Sequence, residues 1–293
     1  MQVRNRVIRV VGAATLLLTT IAPGAHAIVG GQDDGEAHPN VALIVFYAPD
    51  GRFRCSATLV TPTVLVTAAH CTQGTIGKTV VTFQSYIAAA PPSNLPRAID
   101  DLGDGVSQVG YGNGEALGSG VVLGTSYTHP AYSDFTDVKN WNDTGVVVLD
   151  TPISGITPSP LAPPNYLAKF AQPTLNKTVF SVVGYGTDVG PAASTGPQKP
   201  VPLSFPLNRR QTTSPGQKLT QQILQLNGNP NDIRGGGGTC FGDSGGPVFL
   251  NGYLVADTSY GYTSNCRYLG GYQRVDIASV QQWLAGFGVQ PSS

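Results

Sequence analysis

Charge is scarce in this sequence. Only 12% of its 293 residues are Asp, Glu, Lys or Arg, the formal net charge is zero, and no basic run exceeds the pair Arg209-Arg210. A chain without a basic stripe lacks the electrostatic footprint of a nucleic-acid binder, so no such partner is expected. A membrane-spanning segment is missing as well, because the apolar stretch Val10 to Ile21 is too short to cross a bilayer. Methionine (1) and tryptophan (2) are rare. The acids Asp100, Asp101 and Asp104 sit in a Gly-containing loop but fail the spacing of an EF-hand, and they read as a solvated turn. No metal and no cofactor is expected.

Glycine (37) and proline (23) are plentiful, and tyrosine (12) is frequent. Short apolar runs broken by Gly/Pro turns suit an all-β sandwich or barrel. The length allows one large domain or two small ones.

Residues 1–27 read as a processing segment. Arg4, Arg6 and Arg9 precede the apolar stretch, and Ala25-His26-Ala27 forms an A-x-A cleavage site, which together make a secretory signal peptide. Its removal takes away three arginines and no acids, leaving 14 basic and 17 acidic residues, a net charge of −3. Secretion places the chain in an oxidising compartment, so its four cysteines should form two disulfides, with three connectivities open at this point.

The most informative stretch is Thr239-Cys240-Phe241-Gly242-Asp243-Ser244-Gly245-Gly246-Pro247. It sets one hydroxyl among three glycines and beside a carboxylate. Glycines allow backbone conformations that a Cβ forbids, and they let main-chain N–H groups point together at one spot. Gly242 to Pro247 resembles the nucleophile motif GDSGGP of the trypsin/chymotrypsin-like serine protease family. Three more segments resemble the same family in the same order. Ile28-Val29-Gly30-Gly31 matches its activated N-terminus, Thr67-Ala68-Ala69-His70-Cys71 its histidine motif, and Asn142-Asp143-Thr144 entering Gly145 to Leu149 its acid-bearing strand N-D-I-A-L-L. The order His, Asp, Ser separates the chain from subtilisin-like and α/β-hydrolase enzymes.

The resemblance implies two antiparallel six-stranded Greek-key β-barrels with the active site in the cleft between them and a short C-terminal helix. It divides the chain into 28–158, carrying His70 and Asp143, and 159–293, carrying Ser244. The implied activity is that of a secreted, monomeric serine endopeptidase acting on protein or peptide substrates. Ser244 would be the nucleophile, His70 the general base and Asp143 its partner, with the N–H groups of Gly242 and Ser244 as oxyanion hole. The freed ammonium of Ile28 would pair with Asp243, and signal cleavage alone would expose it. Cys55 would pair with Cys71 and Cys240 with Cys266. A non-catalytic binding module and an esterase using the same serine are the rival readings. The first fits poorly with a chain that keeps all three triad positions.

The selector position six residues before the nucleophile is Gly238. With Thr239, Gly261 and Gly270 it outlines an open, uncharged pocket, which implies cleavage after Phe, Tyr or Leu. Ser259-Tyr260-Gly261 resembles the family's substrate-pairing edge. His129 is the rival base and reads as structural before Pro130. Asp134 and Asp137 are the rival acids, but they lack a following apolar strand. Tyr185 replaces the usual Trp of V-x-G-W-G, and the interval from His70 to Asp143 exceeds the family's usual length. Gly190 to Gly216 reads as a surface loop, Gln217 to Leu226 as a strand, and Val275 to Leu284 as a helix with Asp276 as its N-cap.

Overall fold

The computed structural model describes residues 28–87, 95–101, 103–113, 117–189, 203–204 and 207–293. The expected signal peptide at residues 1–27, and residues 190–202 and 205–206 of the expected surface loop, lie outside the described residues. Fifteen strands, β1 to β15 in chain order, and one helix make up the regular structure described. They are β1 (Gln32–Asp33), β2 (Val41–Ala48), β3 (Gly51–Thr61), β4 (Val64–Thr67), β5 (Ile76–Thr82), β6 (Val121–Thr128) and β7 (Gly145–Leu149), then β8 (Val179–Gly184), β9 (Asp188–Val189), β10 (Leu203–Ser204), β11 (Arg210–Leu219), β12 (Ile223–Asn227), β13 (Pro247–Leu250), β14 (Tyr253–Gly261) and β15 (Leu269–Arg274), with α1 (Ala278–Ala285) near the C-terminus.

The first barrel closes in the order β2-β3-β4-β7-β6-β5, every neighbour antiparallel. Strand β2 shows why its sequence is a continuous apolar run rather than an alternating one. All eight of its residues are buried. Val41, Leu43, Val45 and Tyr47 enter one hydrophobic cluster, while Ala42, Ile44 and Phe46 enter another on the opposite face. A strand covered on both faces has no polar side to display. The second barrel runs β11-β12-β15-β14-β13-β8 and closes through β11 and β8, with β1 added at the edge of β11. Strands β9 and β10 form a separate two-stranded ribbon. The chain crosses between barrels after β7: Ser159 N–H donates to Leu59 O and Ala162 N–H to Leu254 O. Asn251 and Gly252, both left-handed (φ 51° and 82°), turn β13 into β14 as a two-residue hairpin. Among the described residues no helix is long and apolar enough to cross a membrane.

Three expectations are corrected here. Residues 210–216 are not loop but the first part of β11. Arg210, Thr212 and Ser214 are buried polar residues, and the inward positions of this strand therefore look like loop in the sequence. They are tolerated because they are partnered. Arg210 Nη1 donates to Asp33 and Nη2 to Gly31 O, and Ser214 Oγ donates to Gly237 O. The strand expected over 217–226 is broken at 220–222, where β11 turns into β12. Asp276 is not an N-cap either. The helix begins at Ala278 with Ile277 as the flanking residue and no side-chain cap. Asp276 is buried, accepts from Leu167 N–H (2.7 Å) and pairs with Arg274 (2.9 Å). A buried carboxylate takes the strongest donors in reach, and a guanidinium outweighs a helix N–H. Val280 and Leu284 are buried in the barrel cluster, with Ile277 partly buried beside them.

A second buried ion pair fastens the N-terminal segment. Arg209 has no exposed surface; its Nε meets Asp34 Oδ2 at 2.7 Å, Nη2 donates to Gly35 O and Nη1 to Phe83 O. Asp34 also accepts from His38 N–H and contacts His38 Nδ1. Arg209→Ala should therefore destabilise the protein by about 3–5 kcal/mol, because it strands a buried carboxylate. Urea unfolding of the two proteins checks this, and a loss below about 1 kcal/mol, the value of a surface pair, would contradict it.

Candidate active site

The pairing of β4 with β7 sets Thr67 opposite Gly145. The residues just beyond these two positions are His70, on the 3-10 turn Ala69–Cys71, and Asp143, in the approach to β7. Ladder register thus brings a histidine and an acid together across 73 positions of sequence. Asp143 has no exposed surface. Its Oδ1 accepts from His70 N–H (2.9 Å), and its Oδ2 lies 2.9 Å from His70 Nδ1 and accepts from Ser259 Oγ (2.6 Å). A carboxylate only accepts, so Nδ1 carries the proton and Nε2 is left as an acceptor. Ser259 is oriented in turn by Trp141, whose Nε1 donates to its hydroxyl (3.0 Å). The backbone N–H of Asp143 donates to Gln273 Oε1 (3.0 Å), and that amide is held by Gln222.

Ser244 sits in a loop braced by its own backbone and by β3 and β14. Asp243 N–H donates to Cys240 O, Gly246 N–H to Asp243 O, Gly245 N–H to Thr258 O, and Ser56 N–H to Ser244 O (2.8 Å). Gly242 takes φ 93°, a conformation that side chains other than glycine's rarely adopt. A Cβ at Gly245 would overlap Thr67 Oγ1, so this glycine is what lets the serine loop close onto the histidine strand. Disulfides join Cys55 to Cys71 and Cys240 to Cys266. The first joins β3 to the turn that carries His70. By loop-closure entropy, a bridge of this span contributes roughly 3 kcal/mol.

Asp243 lies wholly inside the protein. Burial pushes its carboxyl up to about 7, while N–H groups of Cys240 and Gly186 and the charges of Arg54 and Arg210 pull it back. Ile28 is fully buried, and Val29 bridges to Gly238, which keeps the segment after the expected cut alongside the serine loop.

His70 and Ser244 together line two clefts. One, of about 650 Å³, runs past Phe46, Arg54, Phe241 and Gly242. The other, of about 470 Å³, is lined by Thr239, Ser259, Tyr260 and Gly261, all expected, and by Phe135, Tyr262 and Cys266. Among the described residues, no acid, lysine or arginine lines it. Gly238 and Gly270 are buried and are not among its lining residues. Gly238 is hydrogen-bonded to Val29 O, and a Cβ on Gly270 would meet the Tyr272 ring. Tyr272 is buried with its hydroxyl 3.0 Å from Thr239 Oγ1. Rings continue outward from the site, with Phe135 against His70 and Trp141, Trp141 against Tyr260, Tyr260 against Tyr262, and Tyr262 against Tyr268. Phe135 is held at φ 60°, a strained backbone of the kind found at functional sites.

The rival residues lie elsewhere. His129 is buried against Trp283, accepts from Ala131 N–H and contacts Ser279 O, and its burial lowers its pKa. Asp137 caps Lys139 and Asn140 in an exposed turn, and Asp134 contacts Tyr132. Sequence reasoning missed Gln222, Gln273, Phe135 and Tyr272. The first two carry no local signal, whereas the run of aromatics near Asp143 and after Ser259 was visible.

Two closed barrels with a histidine, a buried acid and a glycine-framed serine at their junction define a serine hydrolase. Comparison with known proteins narrows this. The family model described as Trypsin matches residues 118–284. A trypsin from Saccharopolyspora erythraea is 29% identical over 238 residues, 80% of this chain and 86% of that one. Trypsin Blo t 3 from Blomia tropicalis is 34% identical over 119 residues, 37% of this chain and 41% of its own. The solved structure of HL collagenase superposes with a TM-score of 0.61 at 18% identity, covering 90% of this chain and 100% of that one, a likeness of fold alone. The chain belongs to the trypsin family, and it is a serine endopeptidase that hydrolyses peptide bonds by a serine mechanism.

One buried acid stands outside this scheme. Asp257, on β14, accepts from Thr144 Oγ1 (2.9 Å), and among the described residues its Oδ1 has no hydrogen-bond partner. Burial, then the neighbouring charge of Asp143, raises its pKa well above 3.8. A carboxyl with a raised folded pKa adds stability only below its unfolded pKa, and that stability is lost as pH rises toward the folded value. Asp257→Asn, which cannot ionise, should therefore gain stability relative to the parent as pH rises from about 4 to about 8. Thermal unfolding across that range measures the gap, and a constant gap would show that the Asp257 side chain does not ionise differently in the two states.

Proposed function

We propose that Ser244, His70 and Asp143 form the catalytic triad of a secreted, monomeric endopeptidase that cleaves after large apolar residues. One observation carries the reading: buried Asp143 accepts a hydrogen bond from His70 Nδ1–H, leaving Nε2 as the acceptor on a ring that shares both clefts with Ser244. Ser244 Oγ attacks the peptide carbonyl carbon as Nε2 takes its proton. The carbonyl oxygen becomes an oxyanion received by the N–H groups of Gly242 and Ser244. The C–N bond then breaks, with the imidazolium protonating the leaving amine, and water repeats the sequence on the acyl-enzyme. Asp143 keeps the imidazole in one tautomer and stabilises its charge, with Ser259 and Gln273 holding the acid in place.

The uncharged lining of the smaller cleft supports Phe, Tyr or Leu as the residue before the cut, since a cation buried there would lack a partner. Ser259 to Gly261, at the end of β14, is a strand edge along which substrate backbone would pair. Activation is assigned to a chain beginning at Ile28, whose ammonium would give buried Asp243 a further counter-charge and draw its carboxyl down from about 7. The A-x-A site at Ala25 to Ala27 and the two disulfides support secretion.

Three outcomes are expected. Ser244→Ala abolishes covalent labelling by an organophosphonate and lowers kcat by a factor on the order of 10⁶. Chromogenic peptides ending in Phe are cleaved in preference to those ending in Arg, and the reverse order would overturn the pocket assignment. N-terminal sequencing of the secreted protein starts at Ile28, and a start elsewhere would sink the activation scheme.

A further inference from the structure

Ser56 lies on β3 in the first barrel, has no exposed surface, and is bonded through every polar group it has. Its hydroxyl donates to Gly242 O (3.0 Å) and accepts from Tyr185 N–H (2.9 Å). Its backbone N–H donates to Ser244 O (2.8 Å), and its carbonyl accepts from Thr67 Oγ1 (2.8 Å). Three of these four bonds cross to the other barrel. They fall on both sides of Asp243: on the carbonyls that precede and follow it, and on the residue before Gly186, whose N–H donates to its carboxylate.

The need for such a grip follows from Gly242 itself. Glycine crosses between backbone wells at little cost, so a peptide beside Gly242 is the easiest in the loop to flip. Gly242 joins the Phe241–Gly242 peptide, whose N–H is one donor, to the Gly242–Asp243 peptide, which leads on to the other donor at Ser244 N–H, so a turn at this glycine would swing the two donors apart. Thr187 N–H holds the Phe241 carbonyl (2.7 Å) and the Ser56 hydroxyl holds the Gly242 carbonyl (3.0 Å), so the peptides on both sides of the glycine are fixed. Arg54, two residues earlier on the same strand as Ser56, reinforces this. Its Nε lies 3.2 Å from where a Cβ on Gly242 would stand, so its side chain covers the glycine.

We propose that the Ser56 hydroxyl is a positioning group for the oxyanion hole, holding from the opposite barrel the Gly242–Asp243 peptide that links the two donor amides. This rests on the assignment of Gly242 and Ser244 as oxyanion donors. The position carries no charge and contacts no reacting atom, so its effect should appear only as oxyanion charge develops.

Ser56→Ala and Ser56→Gly, each assayed below its own thermal midpoint, test it against a peptide amide substrate and the matching peptide aldehyde, whose hemiacetal oxygen occupies the hole. The expected result in both variants is a fall in kcat of about tenfold to a hundredfold, below the 10²–10³ of removing a donor outright. KM should stay unchanged and aldehyde affinity should fall by the same factor. Unchanged kcat and aldehyde affinity, or a loss confined to KM, would overturn the proposal and leave the triad reading standing. A fall in kcat with aldehyde affinity unchanged would also overturn it, by removing Gly242 from the role of donor. Failure of the parent protein to react with an organophosphonate would instead overturn the triad reading itself, and this proposal with it.

Discussion

A carboxylate shut away from water has to be met by donors on every side, and the architecture of this protein follows from meeting that demand at Asp143. Its three side-chain hydrogen bonds come from both barrels: two from His70 in the first and one from Ser259 in the second. Neither barrel alone can satisfy the acid, so the barrels are held at the separation that also sets the histidine beside the serine loop. Removing one partner from a buried charge costs several kcal/mol. That cost favours the arrangement whose chemistry matters and disfavours splayed alternatives.

The same logic recurs along β3. Three consecutive residues reach three different parts of the site. Arg54 lies over Gly242, Cys55 is bonded to the cysteine following His70, and Ser56 grips the carbonyls of Gly242 and Ser244. The serine loop and the histidine turn are thus referred to one short stretch of strand. A strand held on both sides by antiparallel neighbours is a stiff reference, stiffer than the loops that it positions.

The parts legible in the sequence were those whose chemistry is local. The serine among glycines, the histidine before a cysteine and the acid entering an apolar strand each announce themselves within a few residues. The barrel strands showed as short apolar runs between Gly/Pro turns. What stayed hidden depends on partners far away in the chain. Gln273 touches Asp143 across 130 positions and Ser56 touches Gly242 across 186. Nothing near either residue hints at this. Strand β11 was misread because its buried side chains are polar and become acceptable only once β1 and the glycine run before Cys240 supply their partners. Asp276 was misread for a related reason: an acid before a helix has a ready local role, and Arg274 outbid it.

The fastening of residues 31–38 has a kinetic consequence. Arg210 holds Gly31 and Asp33, and Arg209 holds Asp34 and Gly35. A terminus released at Ile28, as proposed, would be leashed only a few residues from a fixed point, and its ammonium would meet Asp243 at high effective concentration rather than by a search through solution. Lengthening that leash would dilute the end and slow its docking, with every contact around Asp243 left as it is.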